Sequence, residues 1–162
     1  SEMCIRDSTY TDAQKALANG ELLKIAVIER HHATGNMGIG LIKGYGLKNG
    51  AVATTVGHDS HNIIVVGDND SDMLLAVEEL KRIKGGYIVV SNGNVIESLP
   101  LIFGGLMSVL PTDEFISQLD KTISAARNLG VNKNIDPFIT LSFMALPVIP
   151  EIRITDMGIF EM

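Results

Sequence analysis

The sequence predicts an α+β fold, a largely antiparallel or mixed β-sheet with two main amphipathic helices packed on it. Three observations carry that prediction. Apolar runs of strand length alternate with turns rich in Gly, Asn and Pro. Two longer segments instead repeat their apolar residues at helical spacing. Hairpin signals outnumber crossover helices, and antiparallel neighbours can be joined by tight turns where parallel ones cannot. At 162 residues the chain has the length of one ordinary domain, whose core can suffice without disulfides or a structural metal.

Ser1 to Ser8 reads SEMCIRDS, a string that looks like a translated sequencing adaptor. With the polar, partly helical Thr9 to Glu21 it is set aside as a non-native or disordered lead, residues 1–21, and the domain is expected over 22–162. Lys24 to Arg30 forms the first strand; Ile25 to Ile28 is apolar without alternation, as in a strand covered on both faces. It ends at His31-His32. Turn residues from Ala33 to Gly38 lead to a second strand, Ile39 to Tyr45, and Lys48-Asn49-Gly50 is a hairpin-turn signal. Ala51 to Val56 and Ile63 to Val66 are two more strands, joined by Gly57-His58-Asp59-Ser60-His61-Asn62.

Asp70 to Lys84 is a helix by the spacing of Met73, Leu74, Val77, Leu80 and Ile83, with Asp70 or Ser71 as its cap and Gly85 as its stop. Tyr87 to Val90 and Val95 to Leu99 flank Ser91-Asn92-Gly93-Asn94, a second hairpin signal. Pro111 and Thr112 open another helix, Asp113 to Leu129, whose core stripe is Phe115, Ile116, Leu119, Ile123, Ala126 and Leu129. Phe138 to Met144 and Glu151 to Thr155 read as late strands separated by Pro147 and Pro150.

Composition narrows the function classes. Lys plus Arg number 13 against 19 Asp plus Glu, a net charge of -6, with no basic stripe to follow a phosphate backbone, so a nucleic-acid polymer is not expected as partner. Hydrophobic residues make up 46% and mean hydropathy is +0.24, which predicts apolar surface set against another domain or subunit. Leu99 to Leu110 and Phe138 to Ile149 fall short of the roughly 20 residues that cross a bilayer. No membrane association is expected. Cys4 is the only cysteine, which excludes an internal disulfide and a cysteine-based zinc site and points to the cytoplasm.

All four histidines lie between His31 and His61. Imidazole titrates near neutrality, so such a group can bind metal, move protons or hydrogen-bond a heterocycle; capping of strand ends is the plain alternative. His58-x-x-His61 with Asp59 is a ligand set of first-row metals, yet in an extended chain positions 58 and 61 face opposite ways and would need a turn at Asp59-Ser60 to meet. Likewise only one of His31 and His32 can enter a given pocket. Gly35 to Gly40 lacks the Walker spacing and the Rossmann order, leaving turn formation and close backbone packing as its roles. The run Asp68 to Asp72 lacks the glycine and glutamate of an EF-hand and reads as helix capping. Neither a G-x-S-x-G elbow nor the cytidine-type zinc-deaminase signature is present.

Longer stretches are more specific. Ile28-Glu29-Arg30-His31-His32-Ala33-Thr34-Gly35-Asn36-Met37-Gly38, Gly46 to Ala51, His58 to Gly67, Leu99-Pro100-Leu101 with Gly105 to Ser108, and Pro137 to Pro150 together resemble the carboxy-terminal domain of bacterial adenine deaminase, over about Leu22 to Phe160. The resemblance implies an amidohydrolase-superfamily enzyme of purine catabolism that hydrolyses adenine to hypoxanthine and ammonia, with manganese or iron held in an upstream barrel domain. The barrel's His-x-His ligands have no counterpart here, so no metal residue is assigned, no cofactor is expected in this chain, and alone it should be inactive. Expected partners are the upstream barrel, adenine and further copies in a homo-oligomer.

Within that frame the Arg30 to Asn36 and His58 to Asn62 loops are expected to close over the barrel mouth. His58, Asp59 and His61 are the catalytic candidates, and His31, His32, Asn36 and Asn62 the substrate-binding ones. Asn can pair with adenine's N6 and N7 edge, neutral His can hydrogen-bond ring nitrogens, and a lid excludes water from the reaction at C6. A structural role at a domain or subunit interface and an autonomous metal site stay open beside this. So does a different class, a stand-alone small-ligand-binding, metal-binding or oligomerisation module.

Overall fold

Six strands form one sheet in the order β2-β1-β4-β3-β5-β6, and every neighbouring pair is antiparallel. They are β1 (Leu22–Ile28), β2 (Met37–Lys43), β3 (Ala51–Thr54), β4 (Ile63–Gly67), β5 (Gly86–Ser91) and β6 (Asn94–Pro100). Beside a short helical segment at 15–18, the other elements are helices α1 (Asp70–Arg82), α2 (Thr112–Asn128) and α3 (Ile139–Met144) and the hairpin β7 (Arg153–Thr155) with β8 (Gly158–Phe160). This computed structural model describes residues 15–146 and 152–160; the expectations for 1–14, Pro147, Pro150 and Glu151 lie outside them. The α+β expectation is met.

Alternation along each strand sends side chains to two cores. Ile25, Val27, Val52, Ile64, Val66 and Val89 pack with Ala125, Ala126, Phe138 and Leu141 of the α2 and α3 side. Ala26, Ala51, Ala53, Ile63, Val65, Ile88 and Val90 meet Met73, Ala76, Val77 and Leu80 of α1. Strands β1, β3 and β4 are therefore covered on both faces, which is why their sequences show no polar alternation. The edge strand β2 does alternate, with Met37 and Ile39 exposed and Ile42 buried. Its Gly38 and Gly40 make room for β7 and β8: a β-carbon on Gly38 would sit 1.9 Å from the Thr155 carbonyl oxygen. Close backbone packing is thus a role this glycine plays.

Helix α1 and the β5–β6 hairpin follow their sequence signals. Ser91 pairs with Asn94, and the turn between them has φ of 52° at Asn92 and 73° at Gly93, the left-handed pair that tight hairpins demand. The α1 cap is Asn69, not Asp70 or Ser71: residue 69 is still extended, and its side chain accepts the Asp72 N–H at 2.8 Å. Asp70 is already helical. The acidic run does act in capping, and Asp72 also accepts from the Asn92 and Gly93 N–H groups at 3.0 and 2.7 Å.

Three further expectations are corrected. Asn49 takes the left-handed φ of 54°, but Lys48-Asn49-Gly50 makes no hairpin, since β2 pairs only with β1. Tyr45 and Leu47 are buried between the strands, and the Asp68 carboxylate captures the Asn49 and Gly50 N–H groups. Phe138 to Met144 is not a strand; 139–144 is α3, started by Asp136, whose Oδ1 accepts the Phe138 and Ile139 N–H groups at 2.9 and 2.8 Å. A short apolar run fits helix and strand equally well, and here a local carboxylate decides. The stripe of α2 holds except at Ile116, which is 50% exposed: Ala126 is buried, Phe115, Leu119, Ile123 and Leu129 are half-buried, and Thr122 and Ala125 join them as buried residues.

Candidate functional site

Antiparallel order gathers alternate connections at one end of the sheet. Ile28 pairs with Met37 and with Ile63, Thr54 with Ile64 and Tyr87, and Gly86 with Pro100. The 29–36, 55–62 and 101–110 loops therefore leave the same rim.

The first two loops touch directly. His31 Nε2 lies 2.7 Å from the Ser60 carbonyl oxygen, and Arg30 Nε donates to the His61 carbonyl at 2.6 Å. The Glu29 carboxylate gathers the 31–34 turn, accepting the His31 N–H, the His32 N–H at 2.7 Å, and the Thr34 N–H and hydroxyl at 3.1 Å each. These donors, the Thr34 N–H foremost, hold the carboxyl down to about 2 against a smaller opposing effect of desolvation. Three non-glycine residues of the two loops, Ala33, Asp59 and His61, have φ of 52°, 63° and 49°. Left-handed backbone of this kind persists only where surrounding contacts enforce it.

Each predicted residue has a definite place. His31, His32, His58, Asp59 and Asn36 are exposed, His61 is half-buried and Asn62 is buried. The rings of His31 and His32 meet edge to face at 6.4 Å. His58 stacks on Phe143 of α3 at 5.8 Å, and its Nδ1 is 3.7 Å from the Asp59 carboxylate. The two asparagines turn toward the β7–β8 hairpin instead: Asn62 Nδ2 donates to Asp156 at 3.1 Å, and Asn36 Nδ2 lies 3.5 Å from Met157 Sδ. His61 Nδ1 and Asn62 Oδ1 are buried without a partner among the described residues. The structure joins His31 to the 58–62 loop and leaves Asn36 and Asn62 on the hairpin side.

Sequence reasoning missed Glu29, Arg30, Thr55 and the third loop. Arg30 Nη2 donates to the Gly104 carbonyl at 2.6 Å, and the Thr55 hydroxyl donates to the Gly105 carbonyl at 2.7 Å while accepting the Gly86 N–H at 2.8 Å. A cavity of about 290 Å³ opens beside this anchor, lined by Arg30, Thr55, Lys81 and Lys84 among others, with no imidazole in its wall. The loop's Phe103, Leu106, Met107 and Val109 are exposed. The available signal was the charged Glu29-Arg30 pair beside two histidines and the apolar run from Leu99 to Leu110.

Among the described residues no three His, Cys, Asp or Glu side chains come close enough to hold a metal ion. These residues do not form a ligand set for manganese or iron. No described helix is long and apolar enough to cross a membrane.

The family profile described as the adenine deaminase C-terminal domain matches residues 3–162. The chain belongs to this family. It is 53% identical over 147 residues to adenine deaminase 2 of Carboxydothermus hydrogenoformans, covering 91% of this chain and 26% of that protein. It is also 53% identical over 152 residues to adenine deaminase of Nitratidesulfovibrio vulgaris strain Hildenborough, covering 93% and 26%. To adenine deaminase of Clostridium acetobutylicum it is 53% identical over 148 residues, covering 91% and 26%. The chain thus spans about a quarter of the length of these relatives. As an adenine deaminase C-terminal domain it carries its histidines on one rim of an antiparallel sheet, clear of both cores.

Proposed function

We propose that this chain acts as the C-terminal part of an adenine deaminase and that its 29–36 and 57–62 loops contribute to the mouth of an active site built mainly by an upstream barrel. Family membership supports the first part. The second rests on one observation, the direct contact of the two histidine loops through His31 with Ser60 and Arg30 with His61.

The reaction adds water to adenine: an O–C6 bond forms, the C6–N6 bond breaks, and ammonia leaves with hypoxanthine as the other product. Manganese or iron, held by the barrel, would activate the water. The exposed His58 imidazole, with Asp59 beside it, and the half-buried His61 imidazole supply groups that accept and return protons as the amine departs. His31 and His32 offer ring hydrogen bonds to purine nitrogens, and Asn36 an amide matched to the N6 and N7 edge. Asn62, whose amide ties the 57–62 loop to the β7–β8 turn, holds that loop in place at the mouth. The reading includes cytoplasmic purine catabolism and a homo-oligomer, the latter favoured by the exposed apolar residues of the 101–110 loop.

That apolar loop favours a second reading, in which the rim is a domain or subunit interface and the imidazoles are structural. The two part on one experiment. In the full-length enzyme, His58→Ala and His61→Ala should each lower kcat for adenine by about 10²-fold, the low end for loss of a positioned acid or base, with little change in melting temperature. Loss of folding with undiminished activity per folded molecule rejects the active-site role.

A further inference from the structure

Arg30 spends its charge on two backbone carbonyls from distant parts of the chain, His61 at 2.6 Å through Nε and Gly104 at 2.6 Å through Nη2. Among the described residues no carboxylate lies in ion-pair reach of it. The rigid guanidinium fork suits such a bridge, because it presents donors to two acceptors at fixed angles, where an ammonium offers one point of charge. The approach is close: a β-carbon on Gly105 would lie 2.7 Å from Arg30 Nη2, and Gly105 has φ of 76°. The grip falls on strained backbone as well, since His61 sits at φ 49° and its carbonyl direction is tied to that conformation.

We propose that Arg30 is a positioning residue that couples the 57–62 histidine loop to the apolar 101–110 loop, so that both face the active-site mouth as one rigid unit. Releasing the His61 carbonyl lets residue 61 relax to ordinary backbone, which swings its imidazole away from the working direction. The same release frees Gly104, leaving the third loop on its Thr55 anchor and on the bond from the Leu101 N–H to the Gly85 carbonyl. This rests on the deaminase reading above, which assigns His61 to the reaction.

The test uses the full-length enzyme with Arg30→Ala and Arg30→Lys, read by hydrogen–deuterium exchange and by steady-state kinetics on adenine. In Arg30→Ala, exchange should rise in 57–62 and 102–107 together and stay unchanged in 70–82. Its kcat should fall at least about tenfold, since misplacement of about 1 Å can cost up to 10²-fold, with a smaller change in KM. Millimolar guanidinium should restore part of kcat to Arg30→Ala and none to His61→Ala. Arg30→Lys should keep the melting temperature and still lose kcat. Unchanged exchange in either loop overturns the coupling, as does exchange that rises equally in 70–82. Raised exchange in both loops with full turnover upholds the coupling and rejects instead the active-site reading beneath it.

Discussion

The carboxylate of Asp72, in the first turn of α1, accepts the backbone N–H of Gly93 at 2.7 Å and so ties that helix to the tip of the β5–β6 hairpin. Asn92 N–H at 3.0 Å and the Asn69 amide at 3.0 Å complete its shell. Burial at 3% exposure works against the charge, but hydrogen bonds from Asn69, Gly93 and Asn92 outweigh it and lower the pKa from its ordinary 3.8.

Asp72→Ala should therefore destabilise the fold by about 1.5–3 kcal/mol, the range for hydrogen bonds to a charged group. The sign with pH follows from a depressed carboxylate pKa. The stabilisation is present above the unfolded-state value near 3.8 and is lost as pH falls through the lower folded-state value. Urea unfolding of the wild type and of Asp72→Ala between pH 7 and 3 checks this; the gap between them should narrow toward the acid end.

Glu29 is a half-buried case of the same linkage. Its carboxyl is held down to about 2 from an ordinary 4.5, chiefly by the Thr34 N–H. Order in the 31–34 turn should be complete above about pH 4.5 and fade as pH drops toward 2. Glu29→Gln should mimic the acid form at neutral pH by weakening the acceptor. Amide NMR of His31, His32 and Thr34 reads both effects; unshifted resonances in the variant would mean that the carboxylate does not shape the turn.

At Gly38 the prediction is steric. With a β-carbon 1.9 Å from the Thr155 oxygen, Gly38→Ala must push the β7–β8 hairpin off β2, at a cost of about 1–3 kcal/mol for overpacking. Gly93→Ala serves as a control for backbone strain alone, because nothing lies within 4 Å of its β-carbon position. Denaturant midpoints of the two variants should differ in origin: proteolysis should reach 152–160 faster only in Gly38→Ala.

Elements whose information is local were legible in the sequence. Helix α1 shows its period through Met73, Val77 and Leu80, and Asn92-Gly93 carries the turn chemistry of its hairpin. The histidine loops were placed correctly at strand ends, although pairing of His31 with Ser60 depends on strand order, which no local pattern encodes. Where tertiary contacts decide, the reading went astray. Asn49-Gly50 has hairpin chemistry, but Asp68 uses its amides while Tyr45 and Leu47 carry the chain across the sheet. Phe138 to Met144 has the composition of a strand and is turned helical by Asp136 just before it. Arg30 escaped notice for a similar reason. Its partners are carbonyls 31 and 74 residues away, and a carbonyl leaves no signature in a sequence.

Sorting alternate connections to opposite rims separates two kinds of constraint. The turns at 44–50, 68–69 and 92–93 share one edge, where Asp68 and Asp72 fasten them with backbone donors. The imidazoles occupy the far edge, beyond the last paired residues of β1 and β4. Chemistry at that edge can consequently be rewritten by substitution, residue by residue, while the fastened edge goes on holding the scaffold in register.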